Sequence, residues 1–171
     1  MSNEKGATPR HTIAVLVDNE PGVLARVVGL FSGRGYNIES LTVAEVDHSL
    51  DRSRINIVTF GDEMIINQIR AQLERLVPVF NVVDLTVEGP SIERELALIK
   101  VVAQGENRIE ALRVADIFRA RAVDSTLGSF VFEVTGDSSK INAFIDLMRP
   151  LGLAEVSRTG VVAIARGAEA M

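Results

Sequence analysis

Residues 12–31 read T-I-A-V-L-V-D-N-E-P-G-V-L-A-R-V-V-G-L-F: an apolar run, a polar turn and a periodic stripe in immediate succession. Residues 12–17 are short, nearly continuous in apolar character and rich in β-branched side chains, the pattern of a strand buried on both faces. The run stops at Asp18-Asn19-Glu20-Pro21-Gly22. Asn is a preferred helix N-cap and Pro is favoured at the first helical position, so the turn is expected to open a helix capped by Asn19. Beyond it Leu24, Val27, Val28 and Phe31 fall at i, i+3, i+4 and i+7, one face of an amphipathic helix, and Gly33 and Gly35 close it.

Working outward, residues 37–46 return to an alternating β-branched pattern, and residues 54–60 supply another strand after the polar segment 47–53. That pair reads as a hairpin with a long loop. Asp62 is placed to cap a second helix with Ile65, Ile66, Ile69, Leu73 and Leu76 on one side, ended by Pro78. Val83, Leu85 and Val87 alternate with Asp84, Thr86 and Glu88, as in a strand with one wet face. Strand, helix, strand, strand, helix, strand is the split βαβ or ferredoxin-like order, with two helices on one face of a four-stranded antiparallel sheet.

Gly89-Pro90-Ser91 breaks the pattern, and the same order follows again. A strand is expected near 95–102, a helix over 107–119, and strands near Val123 and over 129–135. The last helix carries Ile141, Phe144, Ile145 and Met148 at i, i+3, i+4 and i+7, before Pro150, Gly152 and a β-like stretch to Ala165. The fold class predicted is α+β, two tandem ferredoxin-like βαββαβ domains, at residues 11–88 and 93–167.

Composition narrows the function. Eighteen Lys and Arg against 23 Asp and Glu give a net charge of −5, with the positive residues scattered, which disfavours a chain that binds nucleic acid through phosphate contacts. Gly128-Ser129-Phe130-Val131-Phe132 has a faint likeness to an RNA-binding sheet motif, but Leu127 stands where a basic residue belongs. The absence of cysteine removes disulfides, thiolate metal sites and Cys nucleophiles. No apolar run approaches the roughly 18 residues of a membrane span, and residues 1–11 lack the apolar core of a signal peptide. A cytoplasmic protein is expected.

Catalytic groups are few. His11 and His48 belong to no ligand-spaced pair, and His48 with Asp47 and Asp51 reads as a solvated hairpin tip that could hold a cation. Gly33-Arg34-Gly35 sits at a helix end, where it serves as a C-terminal cap and not as a phosphate loop. The turn at 18–22 is more informative. It opens a helix whose first N–H groups, at Gly22 and Val23, favour an anion such as the carboxylate of a small ligand. Gly22 has no Cβ to hinder close approach, and the Asn19 amide offers a donor and an acceptor. From these residues alone Asn19 is either a cap or a ligand group.

Asn19-Glu20-Pro21-Gly22-Val23-Leu24-Ala25-Arg26-Val27-Val28-Gly29-Leu30-Phe31 and Arg34-Gly35-Tyr36-Asn37-Ile38-Glu39-Ser40-Leu41-Thr42-Val43 resemble the ACT domain of the small, regulatory subunits of acetolactate synthase (acetohydroxyacid synthase). The resemblance continues through Gly61-Asp62-Glu63, Gln68-Ile69, Glu93-Arg94-Glu95-Leu96, Ile117-Phe118-Arg119, Val123-Asp124, Ser157-Arg158-Thr159-Gly160-Val161-Val162 and Ala165-Arg166-Gly167. It spans nearly all of residues 11–167.

The resemblance implies a non-catalytic chain that binds a large catalytic subunit, raises its activity, and confers feedback inhibition by valine, with leucine or isoleucine as further effectors, in branched-chain amino acid synthesis. Thiamine diphosphate, Mg²⁺ and FAD would belong to that partner; no cofactor or metal is expected in this chain. The ACT units would pair side by side in a homodimer, with Asn19, Gly22, Val23 and Leu24 of one protomer and Asn37 and Ile38 of the other around the effector. Pro21 keeps the helix start but removes one donor. The second domain has Gly105-Glu106-Asn107-Arg108 at the matching junction, which implies support and contact in place of effector binding. Arg94, Arg119, Arg158 and Arg166 are candidates to face the large subunit. The alternative is an ACT amino-acid sensor for another biosynthetic enzyme.

Overall fold

The computed structural model describes residues 7–171 and forms two compact units, one of residues up to Ile92 joined by Ala163–Met171, the other Glu93–Val162. The chain therefore leaves the first unit after Ile92 and re-enters it after Val162, a return that the linear sequence did not indicate. Each unit carries the βαββαβ order.

In the first unit β1 (Arg10–Asp18), α1 (Val23–Gly33), β2 (Ile38–Asp47), β3 (Arg52–Phe60), α2 (Glu63–Glu74) and β4 (Val79–Asp84) build an antiparallel sheet in the order β2-β3-β1-β4. Alternation sends Ile13, Val15 and Val17 of β1 and Ile55 and Ile57 of β3 to one face, where they pack with Val23, Val27 and Phe31 of α1 and Ile66, Ile69 and Leu73 of α2. The opposite face is also closed: Thr12, Ala14 and Val58 have 0% exposure. The returning segment lies there, since Arg54, on that face by register, donates to the Ala163 carbonyl at 2.8 Å.

Three expectations for this unit are corrected. Asn19 does not cap α1: the helix begins at Val23 with Gly22 at its N-cap, in the left-handed region, and without a side-chain cap. Gly22 at φ 85, ψ −6, with the Val23 N–H 3.4 Å from the Glu20 carbonyl, is the third residue of a type II turn in which Pro21 is the second. Proline's fixed φ therefore serves the turn and not the first helical position. The last strand runs over β4 and not over 83–88, because Asp84, read as a wet residue, is buried and turns the chain: its carboxylate meets His11 Nδ1 at 2.8 Å and accepts from the Thr86 N–H at 3.0 Å. Finally, α2 stops at Glu74, short of Pro78.

The C-terminus of α1 ends as its glycines predict. The Tyr36 N–H bonds the Phe31 carbonyl and the Gly35 N–H that of Ser32, with Gly35 at φ 70: a Schellman motif whose usual apolar contact is the edge-on Phe31–Tyr36 ring pair, centroids 6.2 Å apart. This motif sets where Asn37 emerges.

In the second unit β5 (Ser91–Val102), α3 (Gly105–Ile117), β6 (Arg121–Ser125), β7 (Ser129–Gly136), α4 (Ser138–Gly152) and β8 (Leu153–Arg158) give the order β6-β7-β5-β8, and β9 (Val162–Ala165) lies almost wholly in the segment that returns to the first unit. Its core joins Ala97, Ile99, Phe130 and Phe132 to Phe144 and Met148 of α4. Two expectations change here. Pro150 lies inside α4, in its last turn, where the lost N–H removes a single bond before Gly152 ends the helix at φ 113. The terminal β-like stretch is two strands, broken at Gly160, φ 86.

Helix α4 starts on Asp137, whose carboxylate accepts from the Lys140 N–H at 2.8 Å and from Ser139 Oγ at 2.7 Å. Those bonds, Lys140 first, hold its carboxyl below the usual carboxylate range, against a small opposing effect of burial. Asp137→Ala is expected to cost about 1 kcal/mol in urea unfolding at neutral pH. Because the folded-state value is the lower one, the capping contribution is complete above the unfolded value of about 4 and disappears as pH falls through the folded value. The difference between wild type and variant should therefore hold from neutral pH to about pH 5 and close in stronger acid.

Candidate effector site

The polar turn Asn19-Glu20-Pro21-Gly22 is exposed throughout. The Asn19 N–H is tied to the Asp51 carbonyl at 2.6 Å, which pins the turn to the start of β3 and leaves the Asn19 side chain outward. Helix α1 has no acidic residue in its first turn and no side-chain cap, whereas Asp62 caps α2 through the Ile65 N–H and Asp137 caps α4. The first-turn N–H groups of α1 have no intrahelical acceptors, so this end carries partial positive charge, while the Glu20 carboxylate of the turn lies 3.7 Å from Arg26 Nη1. The Val23 N–H, expected to be open, is drawn into the turn by the Glu20 carbonyl.

The six residues picked from sequence divide into two groups. Asn19, Gly22, Val23 and Leu24 surround the turn. Val23 is buried and serves the core, so the available groups are the Asn19 amide, the bare Gly22 backbone and the half-exposed Leu24 side chain. A Cβ at Gly22 would meet nothing within 4 Å, which shows that the approach to the backbone is open. Asn37 immediately precedes β2 and Ile38 begins it. The Asn37 carbonyl accepts from Thr59 Oγ1 at 2.6 Å, its side chain is exposed, and Ile38 is half-buried against the core.

Within one chain these groups do not meet. Asp18 and Asp47 both pair with Arg52, at the turn end of the sheet, while His11 and Ile38 both pair with Thr59, at the other end. Along β1 the two rows lie seven residue steps apart, from His11 to Asp18, roughly 23 Å at the strand rise.

Other candidates resolve differently. His48 Nδ1 faces Glu45 at 2.8 Å, and the Asp47 carboxylate accepts from the Ser49 N–H and hydroxyl and from the Leu50 N–H. The Ser49 hydroxyl leads in holding Asp47 below the usual carboxylate range. This is the bonding of a hairpin tip, and no group of three or more His, Asp or Glu suited to a metal occurs among the described residues. Arg158, a candidate partner contact, is turned onto its own unit, with Nη2 2.7 Å and Nε 3.2 Å from the Glu95 carboxylate. Arg54, Asn56 and Thr42, which join β2 to the returning segment, were not picked out from sequence. The available signal was a cation and an amide at alternate positions of the otherwise apolar run R-I-N-I-V.

Two family models match the chain: "AHAS small subunit-like ACT domain" over residues 13–81 and "Small subunit of acetolactate synthase" over residues 94–167. A probable acetolactate synthase small subunit of Archaeoglobus fulgidus is 52% identical over 92% of this chain and 98% of its own length. The acetolactate synthase isozyme 3 small subunit of Escherichia coli is 44% identical over 95% and 99%. The crystal structure of the acetolactate synthase small subunit of Thermotoga maritima superposes with a TM-score of 0.85 at 38% identity, over 94% of this chain and 99% of that one.

Proposed function

We propose that this chain, which belongs to the acetolactate synthase small-subunit family, activates a thiamine-diphosphate-dependent catalytic subunit and makes it sensitive to valine. Family membership makes it a regulatory, non-catalytic subunit of an enzyme of branched-chain amino acid synthesis, with a catalytic subunit as its partner. Thiamine diphosphate, Mg²⁺ and FAD belong to that partner in this reading, and the complex works in the cytoplasm. No helix among the described residues is long and apolar enough to cross a membrane.

The observation that carries the effector reading is the separation of the two residue groups along a sheet that ends in β2. This edge strand has β3 as its only described strand neighbour and leaves Val43 and Val46 about half exposed. Pairing β2 antiparallel with β2 of a second copy brings the partner's strand start to the end of the sheet where the Asn19–Gly22 turn lies. One effector pocket then closes at each end of a side-by-side homodimer. The α1 terminus binds the effector carboxylate, the Asn19 and Asn37 side-chain oxygens take its ammonium group, and Leu24 and Ile38 flank its aliphatic side chain. Since one CH₂ contributes only about 0.8 kcal/mol, valine, leucine and isoleucine should compete for the same pocket.

Calorimetric titration of valine into the purified chain tests this, with alanine as control. Saturable binding of valine at two equivalent sites per dimer is expected, and a chain that binds neither amino acid overturns the pocket. Asn37→Ala should weaken valine about tenfold, the effect of losing one hydrogen bond to a charged group. Unchanged affinity would remove Asn37 from the site.

A further inference from the structure

Arg54 lies on the face of the first sheet opposite the helices, between Leu16 of β1 and Ala44 of β2. Its Nη2 donates to the Ala163 carbonyl at 2.8 Å and its Nε reaches Asn56 Oδ1 at 3.5 Å, while Asn56 Nδ2 donates to Thr42 Oγ1 on β2 at 3.1 Å. No carboxylate among the described residues forms an ion pair with Arg54. Burial pushes its guanidinium below its usual value. A half-buried cation served only by neutral acceptors carries a desolvation cost that an apolar side chain would avoid, so it is a costly way merely to fill space.

We propose that Arg54 is a positioning residue that couples the β2 edge to the returning segment: through Asn56 and Thr42 it makes the seating of β2 felt at Ala163, and so in the chain that enters from the second unit. This rests on the effector reading above, in which β2 is the strand that the second copy and the effector both touch. The bonds run in series from Thr42 on β2 through Asn56 and Arg54 on β3 to the returning segment. A shift of β2 reaches Arg54 through Asn56, and one that draws the half-buried guanidinium away from its one short bond, to Ala163, leaves a charged donor unsatisfied, which is costly. Effector-bound and effector-free dimers that differ in the seating of β2 therefore differ in the hold on Ala163. Such a difference is what lets binding at one place alter another.

The test uses the full chain with its catalytic partner and valine as the ligand. Arg54→Met should bind valine within about twofold of wild type, lose protection from amide exchange at residues 163–166 by tenfold or more, and reduce valine inhibition of the complex at least fivefold. Arg54→Lys, which still reaches the Ala163 carbonyl, should recover most of both. Asn56→Leu breaks the series upstream while leaving the Arg54–Ala163 bond, so it should lose inhibition with normal protection at 163–166; this variant stands in if Arg54→Met fails to fold. Full valine inhibition in either variant overturns the coupling, as does lost protection with inhibition intact. A wild-type chain that binds no valine instead overturns the effector reading itself, so the two failures are distinguishable.

Discussion

Gly22→Asp is expected to abolish the valine response of the complex, raising the valine dissociation constant more than 100-fold, while activation of the catalytic subunit stays within about twofold of wild type. Three features of Gly22 lead there. It holds φ 85 at the third position of a type II turn, a conformation that aspartate tolerates better than most side chains at a cost of roughly 1 kcal/mol, so the chain still folds. A Cβ at this position meets nothing within 4 Å, so no clash displaces α1. The added carboxylate stands at a helix terminus that has neither an acidic residue in its first turn nor a side-chain cap. It occupies the donors proposed for the effector and repels the effector carboxylate. Gly22→Ala separates strain from charge, because it carries at least as large a backbone cost without the anion and should weaken valine only a few-fold. Calorimetry and activity assays of the two variants decide the matter. Normal valine inhibition in Gly22→Asp would remove the turn from the site, and equal loss of inhibition and activation in both variants would make the turn purely architectural.

The helical elements were legible because their signals are local. Leu24, Val27, Val28 and Phe31, and later Ile141, Phe144, Ile145 and Met148, repeat at a helical period; all of the second stripe is buried, whereas of the first Val27 and Phe31 reach the core, joined by Val23, and Leu24 stays exposed. What escaped the sequence depends on pairs far apart in the chain. Asp84 resembles any outward strand residue until His11, 73 positions away, is brought beside it. Arg158 resembles a surface cation until Glu95, 63 positions away, accepts from two of its three guanidinium nitrogens. The start of α1 was misplaced for a different reason: Pro followed by Gly fits both a helix opening and a type II turn, and only the φ of Gly22 separates them. The candidate site residues come from a resemblance to a family, whereas their segregation to opposite ends of one sheet was not legible, because it follows from strand register.

Glu95→Ala is expected to destabilise the second unit by about 1–3 kcal/mol, the cost of taking a buried acceptor away from the donors that depend on it. Glu95, only 4% exposed, accepts two bonds from Arg158 and one from Ser138 Oγ at 2.8 Å, while Arg158 Nη1 donates to Asn142 Oδ1 at 2.8 Å. Four side chains thereby fasten the start of β5, the first turn of α4 and the end of β8. Truncation leaves Arg158 Nε, Arg158 Nη2 and Ser138 Oγ without their acceptor, whereas Glu95→Gln keeps an acceptor and should lose less. Replacing the pair together, Glu95→Met with Arg158→Met, should come close to neutral, because the desolvation cost disappears along with the attraction. The chain's single tyrosine, Tyr36, lies in the first unit and there is no tryptophan, so tyrosine fluorescence reports that unit alone while far-ultraviolet circular dichroism reports both. In urea, Glu95→Ala should bring the dichroism transition forward and leave the Tyr36 transition behind it. A midpoint unchanged from wild type would show that the network contributes no net stability. A double variant as damaged as the single one would show that the geometry of this ion pair, and not relief of a stranded charge, holds the second unit together.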